Sequence, residues 1–286
     1  MQKTALVLGL LILALALVFT GCQQSAVKQI PDESNESGSE EKLSGSITIA
    51  GSTSVQPLAE ELAQAFMEKY PDVKIDVQGG GSSVGVQSAY EGVADIGTAS
   101  RELKDKEKPY GLHEHVIAKD GIAIVVNPAN KAVNDITMEQ IKKIYTGEIT
   151  NWKQLGGNDA KITVVNREEG SGTRGAFTEI VMGKDAKFRD DCIIQPSNGS
   201  VRQTVATDPN ALGFISMGML NDSVKGLKVN GVDPTPENVV NGSYKIARPF
   251  LMLTKDEPQG VVKAFLDFVC SEKGQEIVGK EYIRVK

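Results

Sequence analysis

One unit, written four times, most limits what this chain can fold into. A short strand-like run is followed by a turn of small polar residues, and then by apolar residues at helical spacing. The four turns are Gly51-Ser52-Thr53-Ser54, Gly79-Gly80-Gly81-Ser82-Ser83, Gly170-Ser171-Gly172-Thr173 and Ser197-Asn198-Gly199-Ser200. The strand candidates before them are 46–50, 73–78, 161–166 and 192–194. The helical faces after them carry Val55, Leu58, Leu62, Ala65 and Phe66, then Val84 to Tyr90, then Phe177, Ile180 and Val181, then Val201 and Val205. Further strand signals lie at 94–100, 212–216 and 249–254. Gly121–Asn127 is one continuous apolar run, as in a strand buried on both faces. Helical stripes at Met138, Ile141, Ile144 and Tyr145, and C-terminal ones at Val262, Phe265, Phe268 and Val269 and at Ile277 and Val278, complete a β-α-β order. That order predicts α/β domains with mostly parallel sheets.

The turns also have a chemistry. A helix start leaves about four N–H groups without intrahelical partners and carries roughly half a positive charge. Glycine lets a ligand approach that backbone, and serine and threonine add hydroxyls, so such a corner can hold an anion. The simpler reading is that each Ser, Thr or Asn only caps its helix. Four such turns, with Arg167 directly before the third, favour the anion site. Arg167 is the fixed charge whose planar fork can reach two ligand oxygens.

The chain has 286 residues with 40% hydrophobic content, enough for one or two ordinary domains. A net charge of −6 and a pI near 5.2 exclude general nucleic-acid binding, because there is no basic excess to neutralise a phosphate polymer. Residues 1–22 read as a secretory leader: Lys3, an apolar run from Ala5 to Phe19, and "TGC" ending in Cys22. Cys22 after Gly21 resembles the lipobox of prokaryotic lipoproteins, which implies acylation there; an uncleaved N-terminal anchor is the alternative. Residues 23–45 are polar and acidic, with too little apolar area to fold, and read as a tether. As a flexible coil such a segment spans roughly 25 Å. Cys192 and Cys270 are too few for a disulfide framework and read as buried free thiols.

Six stretches, "GSTSVQP", "GGGSSVG", "ADIGTASR", "EHVIAKDGIAIVVNP", "YTGEITNWKQLGG" and "REEGSGTRGAF", resemble in order the motifs of the phosphate-binding protein of the high-affinity phosphate ABC importer. The resemblance runs from about Gly45 to the C-terminus. It implies a two-lobed type II periplasmic-binding-protein fold, each lobe a mostly parallel sheet flanked by helices, joined by two hinge strands. Lobe I would comprise 46–125 and 248–286, and lobe II 126–247, with crossings near Val125–Pro128 and Tyr244–Pro249. The resemblance places phosphate in the interlobe cleft, on Thr53, Ser54, Ser82 and Ser100 of lobe I and Arg167, Ser171, Gly172 and Thr173 of lobe II. Ser52, Ser83, Arg101 and Asn198 are possible additional contacts.

One position departs from the best-known pattern. Where some members carry an aspartate that accepts the proton of hydrogen phosphate, this chain has Ser100, followed by Arg101. A hydroxyl both donates and accepts, without the repulsion by which a carboxylate rejects a fully deprotonated anion. Glu168 or Glu169 could supply an acceptor, or both could face solvent. Arg101 could be a second charge on the ligand or the partner of an acidic neighbour.

The resemblance implies a monomeric, extracytoplasmic, lipid-anchored receptor that delivers phosphate to ABC permease subunits, with no cofactor, no metal and no covalent chemistry. The same fold could take sulfate, molybdate, tungstate or arsenate. A phosphate-ester hydrolase or transferase is the competing class, but no G-x-S-x-G elbow or Walker sequence is present. His113 and His115 would share a strand face like a metal pair, yet lack cysteine partners. Asn198, Asn221 and Asn241 each open a short glycosylation pattern on which nothing rests. Trp152 reads as a packing residue rather than a sugar platform.

Overall fold

The four predicted units form, although in the third the α-helix stops at Phe177 and Ile180 and Val181 lie in a π-helical turn, Thr178–Met182. Strand β1 (Gly45–Gly51) leads into α1 (Gln56–Lys69), whose Pro57 sits in the first turn where no intrahelical donor is needed. Strand β2 (Val73–Gly79) leads into α2 (Ser82–Glu91), and β3 (Ile96–Ala99) follows. Then come the 14-residue β4 (His113–Val126), the short β5 (Asp135–Ile136) and α3 (Met138–Thr146), which opens with a capping box between Thr137 and Gln140. The third unit is β6 (Thr163–Arg167) with α4 (Gly172–Phe177), and the fourth is β7 (Ile193–Gln195) with α5 (Asn198–Thr207). The chain continues through β8 (Ala211–Ser216), β9 (Lys225–Gly226), β10 (Lys228–Val229), α6 (Pro236–Val240) and β11 (Ala247–Thr254). It ends in α7 (Gly260–Cys270) and α8 (Glu272–Val278).

This structure, a computed structural model, describes residues 43–183 and 185–285. The leader, Cys22 and residues 23–42 of the tether lie outside the described residues. The last tether residues do not behave as one: Leu43 packs on the core beside β1, and Gly45 already pairs with Val73. The single apolar side chain of Leu43, next to a β-branched strand, is enough to bring it onto the core.

Among the described residues one nine-stranded sheet runs β2-β1-β3-β11-β4-β8-β6-β7, with β9 alongside β4. It is more mixed than the expected mostly parallel sheets. β1, β2 and β3 are mutually parallel, as are β6, β7 and β8, but β11 is antiparallel to β3 and β4, and β4 is antiparallel to β8. The reason lies in β4. It runs on from one half of the sheet into the other, and β11 returns beside it in the opposite direction. β4 pairs with β11 from His113 to Gly121 and with β8 from Ile122 to Val126.

Each half of the sheet is covered on both faces. Ile47, Leu58, Leu62, Phe66 and Phe265 pack under α1, α7 and α8, while Val86, Ala89 and Leu253 pack under α2. In the other half, Ile122, Ile124, Tyr145, Phe177 and Phe214 form one core and Ala123, Val125, Val201 and Val205 the opposite one. The alternation along Ile122–Val126 shows why this run carries no polar residue: both of its faces are interior. Each large apolar side chain so buried contributes about 1.5–3 kcal/mol.

Candidate functional site

The four turns lie at the carboxyl ends of their strands, and strand register brings those ends level. Gly51 pairs with Gly79 and Thr98, and Arg167 pairs with Gln195. The turns of the two halves then meet tip to tip. The Ser83 N–H donates to the Gly170 carbonyl at 3.0 Å. Gly81 has φ +92°, and a Cβ there would stand 3.1 Å from that same carbonyl, so the close approach and the backbone conformation both call for glycine.

Hydroxyls from both halves form one network. Ser54 Oγ and Thr173 Oγ1 are 2.8 Å apart. Asn198 Nδ2 donates to Ser54 Oγ at 2.9 Å and to Thr53 Oγ1 at 3.1 Å, and Asn198 Oδ1 accepts from the Ser216 N–H. Arg167 Nη2 donates to Thr53 Oγ1 at 3.3 Å. Deeper in, Ser52 Oγ donates to Ser100 Oγ at 2.9 Å, and the Ser100 N–H donates to Ser82 Oγ at 3.0 Å. Apart from the half-buried Thr53, these side chains are buried.

Arg167 is 1% exposed. Its Nε and Nη2 grip Glu168 with two hydrogen bonds of 2.9 Å and also reach the Gln195 and Pro196 carbonyls. Its Nη1 is buried with no protein partner. A guanidinium N–H left unpaired in the interior is costly unless a ligand or water meets it. The Glu168 charge offsets that of Arg167, so the corner offers donors more than net charge.

The structure brings together all eight primary candidates: Thr53, Ser54, Ser82, Ser100, Arg167, Ser171, Gly172 and Thr173 border this one junction. Among them Ser171 is also a cap, its hydroxyl accepting from the Arg174 N–H at 3.1 Å. Gly172 lies against Ser82 and Ser100, where any side chain would overlap their hydroxyls. Of the additional candidates, Asn198 and Ser52 belong to the network. Ser83 lies at its edge, and Arg101 takes the second of its two readings. Arg101 holds Glu107 through Nη1 and Nη2 at 2.7 and 2.9 Å, both side chains buried, with Ser83 Oγ at 3.3 Å. Burial alone would raise the Glu107 carboxyl. Hydrogen bonds from Arg101 and the Lys104 N–H, with the charges of both residues, hold it below the ordinary value.

Glu169 faces solvent. His113 pairs with Glu257 at 3.2 Å, and His115 meets Thr254 Oγ1 at 3.3 Å. Among the described residues no group of metal-ligating side chains gathers. Trp152 is buried, its Nε1 donating to the Asn210 carbonyl at 3.0 Å. Cys192 and Cys270 are free thiols, half-buried rather than fully buried.

Two residues at the junction escaped the sequence reading. Arg248 on β11 and Asp120 on β4 are register partners, 2.9 Å apart and both 1% exposed at the side chain. Arg248 Nη2 also donates to Ser54 Oγ at 3.2 Å. Burial pushes the Asp120 carboxyl up and the Arg248 guanidinium down, each against the pull of the other. A signal was present: both charges stand flush against apolar runs, "DGIAIVV" and "ARPFLML", where nothing charged belongs without a partner.

A PBP superfamily domain matches residues 36–273. The phosphate-binding protein PstS of Bacillus subtilis is 38% identical over 281 residues, covering 97% of this chain and 92% of its own. The chain belongs to the family of phosphate-binding proteins. Solved members of this family carry the same fold. A Clostridium perfringens protein crystallised with bound phosphate, classed provisionally as a phosphate ABC transporter substrate-binding protein, is 51% identical with a TM-score of 0.82. It matches over 85% of this chain and all of its own. An ABC-type phosphate transport receptor from Vibrio cholerae is 40% identical with a TM-score of 0.70, over 84% of this chain and all of its own.

Proposed function

We propose that this chain is an extracytoplasmic receptor that captures inorganic phosphate at the junction of the two sheet halves and delivers it to an ABC importer. The observation that carries the reading is Arg167 Nη1, a buried cationic donor without a partner among the described residues, on the same guanidinium whose Nη2 reaches Thr53. The same junction holds the hydroxyls of Ser82, Ser100 and Thr173, with Ser54 behind Thr173, and the first N–H groups of α2, α4 and α5. Each half supplies donors, so an anion between them stabilises closure by binding the closed form better than the open one. No step of this function makes or breaks a covalent bond in the ligand.

Several finer elements belong to the same reading. The lobes are 46–125 with 248–286, and 126–247; a crossing on β4 is supported by its exchange of β11 for β8, which falls between Gly121 and Ile122, four residues before that boundary. Acylated Cys22 holds the monomeric receptor at the outer face of the cytoplasmic membrane, with 23–42 as tether. The partner is the permease of the importer.

Ser100 favours a second reading for selectivity. Its oxygen accepts from Ser52 and keeps a lone pair that can accept the proton of hydrogen phosphate, but it carries no charge to repel a fully deprotonated anion. Sulfate, which is fully deprotonated, therefore meets less resistance here than at a carboxylate, while arsenate carries the same proton as phosphate. Isothermal titration of the purified protein with phosphate, sulfate and arsenate from pH 5 to 9 tests this. Phosphate should bind tightest, and Ser100→Asp should abolish sulfate binding while sparing phosphate. Absence of phosphate heat in the wild-type protein overturns the reading, and turnover of a chromogenic phosphate ester supports the enzyme alternative.

A further inference from the structure

We propose that Arg248, locked to Asp120 across the two central strands, is a positioning residue of the anion site, acting through Ser54 to aim the Thr173 hydroxyl at the ligand. The inference rests on the phosphate reading above and extends it to Arg248, which lies outside the six stretches that resemble the family.

The argument is one of proton direction. Ser54 Oγ accepts from Arg248 Nη2 at 3.2 Å and from Asn198 Nδ2 at 2.9 Å. A hydroxyl oxygen has two lone pairs, and both donors here are donors only. The Ser54 proton therefore goes to its third neighbour, Thr173 Oγ1, at 2.8 Å. Thr173 Oγ1 becomes an acceptor on that side, and its own O–H is free to donate to an anion. Without Arg248, one Ser54 lone pair opens. Thr173 can then donate to Ser54, and its proton is lost to the ligand.

The position of Arg248 suits this role. It comes from β11 and Ser54 from the turn after β1, whereas Thr173 and Asn198 belong to the other half of the sheet. The ordered chain Asp120–Arg248–Ser54–Thr173 thus runs from the point where β4 changes partners to the tip of the opposite turn. Asp120 Oδ2 holds Nη2 at 2.9 Å, and the guanidinium lies 5.7 Å from the Phe250 ring centre. Nε and Nη1 have no partner among the described residues, where the Asp120 contact and the Ser54 contact are the polar restraints on this side chain. A residue that only filled the core would need neither charge.

A double-mutant cycle separates positioning from mere structure. Arg248→Lys keeps a cation for Asp120 but loses the rigid fork. By titration with inorganic phosphate it should weaken binding about tenfold, equivalent to about 1.4 kcal/mol, whereas Ser54→Ala leaves Thr173 no competing acceptor and should weaken it less. The double variant should bind no more weakly than Ser54→Ala alone, because Arg248 acts on Thr173 only through the Ser54 hydroxyl. Melting without phosphate checks that each variant folds. If Arg248→Lys does not fold, the isosteric Asp120→Asn takes its place in the cycle, with the same expected non-additivity. Additive losses, or wild-type affinity in Arg248→Lys, overturn the proposal while leaving the phosphate reading intact. A wild-type protein that binds no phosphate overturns both.

Discussion

Gly172, the first residue of α4, lies directly against Ser82, the first residue of α2, in the opposite half of the sheet. A methyl group on Gly172 would overlap the hydroxyls of both Ser82 and Ser100. The two helix starts can meet only because one of them has no side chain.

Gly172→Ala should therefore weaken phosphate binding more than tenfold. The melting temperature without phosphate should change little, because the halves can stay apart without cost to either core. Gly199, in the first turn of α5, is the control: a Cβ there meets nothing closer than 3.7 Å, so Gly199→Ala should leave binding and melting near wild type. Titration and calorimetry on the two variants give the comparison. Equal effects from both would contradict the close approach.

Arg167 and Trp152 make a second contrast. Arg167→Ala removes the buried fork that holds Glu168 and reaches Thr53, and affinity for phosphate should fall at least ~30-fold, the low end for truncating a buried, hydrogen-bonded charge. Trp152→Phe loses a hydrogen bond to the Asn210 carbonyl and part of a buried ring in the core, with no contact to the junction removed. It should lower unfolding free energy by about 1–3 kcal/mol and leave affinity unchanged. Titration and urea unfolding of both variants check the split.

The Arg101–Glu107 pair should register in acid. Glu107 titrates below its ordinary value of 4.5 in the folded protein. A depressed carboxyl stabilises the fold above its unfolded value, and that stabilisation disappears as pH falls through the folded one. Glu107→Gln should thus be less stable than wild type at pH 7, with the gap narrowing as pH falls below 4.5. Urea midpoints at several pH values measure it; a gap constant with pH would show that the charge is not involved.

The Cys192 thiol should be slow to react. Burial, opposed by Arg189, pushes it up to about 11, so at pH 8 only roughly one molecule in a thousand carries the thiolate that attacks a disulfide reagent. Labelling of Cys192 should accelerate about tenfold per pH unit from 8 to 10. Peptide mapping after timed labelling reads the rate, and rapid labelling at pH 8 would place this thiol in water.

The strand-turn-helix units were legible in the residues because their signals are local. Period-two and period-3.6 patterns identify β1, α1, β2 and α2, and the small residues of each turn are required within a few positions of the strand end. The four turns and Arg167 could be named as an anion-holding set for the same reason, while the choice of Thr53, Ser82 and Thr173 within those turns came from the resemblance to a known family. The Arg101 alternative could not be decided locally, since Glu107 and a ligand offer equally good partners until the loop is folded.

What the sequence determined by itself is the set of corners and the chemistry that each can offer. Only the tertiary structure decided which corners face one another, which hydroxyl gives its proton to which, and that Asp120 and Arg248, 128 positions apart, stand behind Ser54. Periodicity and turn chemistry act over a few residues and are written wherever they act. A hydrogen bond between remote strands depends on register and on the path of β4 and β11 through the sheet, and no stretch of either strand records its partner.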